Sequence, residues 1–222
     1  MPAAACERRL ATRKTVSWPR KLFHLAMIST VGLTLGLVPE LDRTSALLIL
    51  GVLAAIVGGL DILRLAVPSL NARVLEDFRA IIRLEEKHGL SASTWFLGGA
   101  LLTVGYAPRA FAAVALLCLA AGDPVASWVG VRFGRMRLPG GKSLEGSLAL
   151  VLTCAAVGTI FLGLTHALPW GIAPLVAIGG AFAAALAEWL PVRFVDDNFR
   201  VPVATAAALT GLAGALAPHV TA

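Results

Sequence analysis

Between Gly146 and Ala187 the chain contains no Asp, Glu, Lys or Arg. A stretch of that length has few ways to fold. A bilayer-crossing helix needs about 20 apolar residues, and the lipid interior requires every backbone N–H and C=O to be satisfied within the segment. The stretch does not alternate in polarity, so it does not read as barrel strands. Pro169-Trp170-Gly171 breaks it into two spans. Applied to the whole chain, the same criterion gives spans at about 22–38, 45–63, 91–106, 110–131, 146–168, 171–190 and 201–218. The expected fold is an all-α polytopic transmembrane bundle of about seven spans. Residues 1–19 form a basic cytoplasmic tail, and 20–222 form a single transmembrane domain. The first span follows basic residues as a signal peptide would, but no small-residue cleavage site is evident, so it is expected to be retained.

Charge placement gives the orientation. With seven spans, only Arg43 and Arg109 of the 19 basic residues fall on one side of the membrane; all the others fall on the opposite side. Basic loops stay cytoplasmic, so the N-terminus is expected inside and the C-terminus outside. A net charge of +6 could suggest a nucleic-acid partner. Its confinement to short loops beside apolar helices points to anionic lipid and cytoplasm instead, with no nucleic acid. The carboxylates follow the bases: Glu40 and Asp42 alone fall outside. Acids and bases on one face, beside apolar helices, suit a metal–phosphate site open to lipid. Cys118 and Cys154 lie in apolar runs without metal-ligand spacing and read as small packing residues.

Asp123 is the least expected residue. It lies within the fourth span, nine residues before Arg132, roughly 13 Å along a helix. An ionised group there costs at least about 2.5–3.5 kcal/mol on insertion scales, so it needs a partner or a task. Pro124 beside it removes a backbone donor and opens the helix locally. The bland alternative is a structural Asp bonded to a neighbouring helix. Gly130 and Gly134 have the spacing that lets helices approach closely.

Pro139-Gly140-Gly141-Lys142-Ser143-Leu144-Glu145-Gly146-Ser147 follows. Its glycines let backbone N–H groups approach phosphate oxygens, while Lys142 supplies a point charge and Ser143 a hydroxyl. Met136 stands where a P-loop requires Gly, and no strand precedes it; the alternative is a basic loop capping the fifth helix. Glu188, near the end of the sixth span, and Asp196-Asp197-Asn198 offer hard oxygen ligands suited to Mg²⁺; a snorkelling Glu and a solvated turn are the alternatives. Lys21 and His24 share a helix face, read as membrane anchoring and polar packing. Arg83, Glu85 and Glu86 read as a solvated ion-pair run. His166 and His219 receive no role.

Together these segments resemble the dolichol kinase, phytol kinase and CTP-dependent diacylglycerol kinase family. The resemblance rests on Arg20-Lys21-Leu22-Phe23-His24, on Gly122-Asp123-Pro124-Val125-Ala126-Ser127 with Gly130 and Gly134, on Lys142 through Ser147, on Glu188, and on Asp196-Asp197-Asn198 with Val201-Pro202. It implies transfer of the γ-phosphate of CTP to the hydroxyl of a membrane lipid alcohol (polyprenol or dolichol, a phytol-like prenol, or diacylglycerol) with a divalent metal. On that reading Asp123, Glu188, Asp196 and Asp197 hold Mg²⁺ or orient the acceptor, with Asp123 the first choice of base. Lys142 neutralises the triphosphate, and Ser143, Glu145, Gly141, Gly146 and Asn198 help to bind the nucleotide. CTP as donor rests on the resemblance alone. CDP-lipid synthases share the Gly-Asp and Lys-Ser-x-Glu-Gly elements but carry a Gly-His-Gly-Gly stretch and then Asp-Arg near the C-terminus; Asp196-Asp197-Asn198 stands there instead, which favours the kinase. A non-enzymatic transporter using Asp123 and Glu188 as ion sites would not need the glycine loop, and no inverted repeat is evident.

Overall fold

A computed structural model describes residues 17–138, 141–190, 192 and 195–218. Cys6, Arg8, Arg9, Arg13 and Lys14 of the basic tail, Pro139, Gly140, Arg193 and His219 lie outside the described residues, as does the C-terminus whose side was expected from the charge pattern. Helices fall on all seven expected spans: α1 (Trp18–Leu37), α2 (Arg43–Ala66), α4 (Ala92–Tyr106), α5 (Arg109–Arg132), α6 (Leu144–Leu164), α7 (Ala173–Trp189) and α8 (Asp197–Leu216). Between α2 and α4 the chain adds α3 (Pro68–Asp77) and a 3₁₀ turn (Leu84–His88) where the sequence suggested only a charged loop. Among the described residues, α2, α5, α6 and α8 are long and apolar enough to cross a membrane, and α7 is apolar but shorter. The fold is a helical membrane bundle.

Capping chemistry sets the ends that hydropathy misjudged. Ser143 Oγ accepts from Gly146 N at 3.1 Å, so α6 begins at Leu144. That helix ends at Leu164, short of the expected 168, and His166 just beyond adopts a positive φ of 54°. Asp42 and Asp196 cap α2 and α8 in the same way. Pro124 does not break α5, which runs on to Arg132.

α5 is the centre of the bundle. Every side chain from Phe111 to Ala120 is buried. It packs against α1, α6 and α8; α7 bridges α6 and α8, α4 lies on α8, and α2 lies on α4. Lipid supplies no hydrophobic drive for helix association, so close approach of small residues replaces it. Cys118 and Cys154 are buried free thiols where α5 meets α6, each Sγ directed at the other's carbonyl at 3.7 and 3.5 Å. Outward, α2 presents Leu48, Ile49, Val52, Ile56 and Leu60, and α7 presents Leu175, Phe182 and Leu186. Such broad apolar faces are out of place against water and suit acyl chains.

Candidate active site

The site begins with the connection from α5 to α6. Leu138 N donates to Lys142 O at 2.8 Å and Leu144 N to Met136 O at 2.9 Å, so the loop folds back on itself through a single antiparallel bridge between Arg137 and Ser143. Gly141 has φ +84°, a conformation that favours glycine. The folded loop lies directly on α5. A Cβ at Gly146 would meet Ala126 O at 2.8 Å, and one at Gly130 would meet Ser143 Oγ at 2.8 Å. The Gly130 spacing therefore serves loop-on-helix packing.

This packing aims Lys142 at two helices. Its Nζ lies 2.5 Å from Glu188 Oε1 at the end of α7 and 3.5 Å from Asp197 Oδ2 at the start of α8. Burial works against the lysine charge, but Glu188, Asp197 and Asp123 outweigh it and hold the ammonium above the usual lysine range. Opposite, Lys21 of α1 donates to Asp123 Oδ2 in a close ion pair. Among the described residues the other oxygen, Oδ1, has only Ser127 Oγ, at 3.4 Å. Asp123 therefore has the partner its position requires, on another helix.

Between these pairs lies a cavity of about 160 Å³. Of the residues singled out in the sequence, Asp123, Gly141, Lys142, Ser143, Gly146, Glu188 and Asp197 line it together. Three others do not. Glu145 turns back to accept from Arg135 N and Met136 N at 2.9 and 3.2 Å, which ties down the loop. Asp196 Oδ1 accepts from Asn198 N at 3.0 Å and Asn198 Nδ2 at 2.5 Å, so these two residues build the start of α8. Burial, with Asp197 adjacent, pushes the Asp196 carboxyl up to about 6. Beneath the carboxylates, Leu119, Leu150 and Val201 form a small apolar recess that Asp123, Glu188 and Asp197 also border.

Lys21, Ser127, Arg83, Arg137 and Ser147 also line the cavity. Sequence reasoning gave none of them a site role. Lys21 was foreshadowed only by the rule that an intramembrane carboxylate needs a counter-charge. Its neighbour Arg20, 3% exposed, binds Glu86 Oε1 at 2.6 Å and Ile81 O at 2.8 Å. Glu86 is thus half of a buried ion pair, where a solvated run was expected. Arg64, also 3% exposed, binds Asp61 Oδ1 at 2.7 Å, Asn71 Oδ1 at 2.9 Å and the carbonyls of Glu86 and Gly89. Together they fasten the α3–α4 connection across the foot of α1.

The donor set can be tested against the expected Mg²⁺. Among the described residues no group of three His, Cys, Asp or Glu forms a complete cage. Asp123 and Asp197 instead face one cavity from different helices. That fits Mg²⁺, which commonly takes one or two carboxylates and completes its shell with phosphate oxygens and water.

Fold and cavity define a helical integral membrane protein whose charged site is assembled at one end of the bundle. The chain is 32% identical over 209 residues to CTP-dependent diacylglycerol kinase 1 of Eremothecium gossypii, covering 85% of this chain and 64% of that protein. It is 26% identical over 205 residues to the protein of the same name in Saccharomyces cerevisiae, covering 83% and 69%. Over 104 residues it is 36% identical to a probable chloroplastic phytol kinase 1 of Glycine max, covering 42% and 34%. No protein-family profile matches the chain, and no solved structure matches it. These similarities support the kinase family that the motifs resemble. It spans slightly less than two thirds of the Eremothecium protein.

Proposed function

We propose that this protein transfers the γ-phosphate of CTP to the hydroxyl of a membrane lipid alcohol, diacylglycerol or a long-chain prenol. One observation carries the reading: a lysine delivered by a glycine-rich loop and a carboxylate from within the central span face the same cavity. Phosphoryl transfer needs positioning and charge stabilisation more than covalent help. Lys142 neutralises the transferring group. Oδ1 of Asp123 accepts the hydroxyl proton while Lys21 fixes Oδ2. The acceptor oxygen attacks the γ-phosphorus, the β–γ bridge breaks, and CDP leaves. Asp197 would hold Mg²⁺, which supplies charge neutralisation on the phosphates when bound. The apolar recess beneath Asp123 suits an acceptor that arrives from lipid. The donor follows the names of the relatives.

The cavity gathers the ends of α1, α5, α6, α7 and α8 that carry most of the basic residues. We therefore assign it to the cytoplasmic face, with the N-terminus inside and the C-terminus outside. Labelling of single cysteines at Glu40 and Asp77 tests this: position 77 should be reached only from the cytoplasm and position 40 only from outside. The reverse pattern would overturn the orientation.

The activity test uses purified protein in detergent with γ-labelled CTP or ATP, Mg²⁺, and diacylglycerol or a long-chain prenol. Labelled lipid phosphate with CDP is expected. Pyrophosphate with a CDP-lipid would make the protein a cytidylyltransferase, and absence of any lipid product with either donor would refute an enzyme of this class.

A further inference from the structure

The charges in the cavity do not all answer one another. Lys21 is engaged by Asp123, and Lys142 by Glu188 and Asp197. Two cations remain. Among the described residues the Arg137 side chain has only a long bond, 3.4 Å, to Gly141 O, the Arg83 side chain has no hydrogen-bond partner, and neither pairs with a carboxylate. They enter from different connections, Arg83 from the segment between α3 and α4 and Arg137 from the loop between α5 and α6, yet both line the same cavity. Arg83 is half-buried and Arg137 exposed, and both guanidiniums border the cavity where an anion can complete them.

Arg83 is held there. Ile82 before it is buried, and Glu86 after it is fixed through its side chain by Arg20 and through its carbonyl by Arg64. The Arg137 backbone is fixed by its bridge to Ser143. Two planar guanidiniums on anchored backbones match the oxygens of a polyphosphate, which guanidinium recognises bidentately. The lysines differ: each is already committed to a carboxylate that belongs to the reacting end.

We propose that Arg83 and Arg137 form a clamp for the phosphates of the donor that are not transferred, the α and β groups of a nucleoside triphosphate. This rests on the kinase reading for the identity of the donor, though not for the presence of a polyphosphate site. The clamp acts in binding, so its loss should appear in nucleotide affinity while leaving the acceptor untouched.

The experiment uses the full chain in detergent, with inorganic tripolyphosphate, CTP and CDP as ligands for calorimetric binding, and steady-state kinetics alongside. Arg83→Ala and Arg137→Ala should each weaken tripolyphosphate and CTP binding about 10- to 100-fold, the range for a hydrogen bond to a charged group. CDP binding should weaken in parallel. KM for CTP should rise, while kcat at saturating CTP and KM for the lipid stay as in wild type. If Arg83→Ala does not fold, Arg83→Gln keeps two of the three stem methylenes and a polar end while removing the charge, and its tripolyphosphate affinity decides. Unchanged tripolyphosphate and CTP affinity in the Arg83 and Arg137 variants would overturn the clamp, as would an effect confined to KM for the lipid. Arginine-dependent polyphosphate binding without lipid phosphorylation would retain the clamp and remove the kinase. Lipid phosphorylation with unaltered affinity in the variants would retain the kinase and remove the clamp.

Discussion

Replacing Gly146 with alanine tests the packing that delivers Lys142. The added methyl would sit 2.8 Å from the carbonyl oxygen of Ala126, 2.9 Å from Ser143 Oγ and 3.3 Å from the Gly130 Cα. Two of these three neighbours are backbone of the central helix, which cannot rotate aside. To restore a separation near 3.4 Å, the first turn of α6, and with it the loop that carries Lys142, must retreat from α5 by about 0.6 Å. Overpacking of this kind costs about 1–3 kcal/mol, and strain at Ser143 would remove part of a helix cap worth about 1 kcal/mol. Misplacement by about 1 Å can cost 10²-fold in rate, so a shift of about half that size should lower turnover roughly tenfold. Thermal unfolding in detergent and turnover at saturating substrates measure the two effects. Gly59→Ala is the control, because its methyl meets nothing within 4 Å on a helix face exposed to lipid; stability there should hold or rise. Wild-type stability and turnover in Gly146→Ala would refute the claim that loop-on-helix contact positions the lysine.

Lys142→Ala should lower turnover by about 10²–10³, because it removes the loop's cation and strands Glu188, whose side chain is only 7% exposed; turnover of membrane-inserted variant protein checks this. Arg64→Met should destabilise the fold by about 3–5 kcal/mol, the cost of breaking a buried ion pair, and lower the unfolding temperature; Arg64→Lys should not restore it, because one ammonium cannot reproduce the bonds to Asp61, Asn71 and two carbonyls. Asp196, raised in the folded state to about 6 from an ordinary value of 3.8, binds its proton more tightly folded than unfolded. Its ionisation therefore opposes folding, with the penalty growing as pH rises from about 4 to 6 and full above that. Asp196→Asn, which keeps a capping oxygen, should raise the unfolding temperature at pH 7.5 in chelator and give no gain at pH 3.5.

Hydropathy alone determined the helical membrane class and the number and order of the long helices, because crossing lipid leaves the backbone almost no other choice. It misplaced the ends, since those depend on single capping atoms such as Ser143 Oγ. The sequence also singled out Asp123, Lys142, Glu188 and Asp197, because charge beside or within an apolar run is costly wherever the chain goes. Pairing was decided only in three dimensions. Lys21 lies over a hundred positions from Asp123, and no local period joins them. In the sequence, Asp196 and Asn198 looked no different from Asp197; the turn into α8 directs Asp197 to the cavity and spends the other two on each other. Arg83 read as a surface charge for the same reason. A segment with no apolar periodicity gives no sign of being pinned, and Arg20 and Arg64 pin this one from helices that sequence spacing does not connect to it.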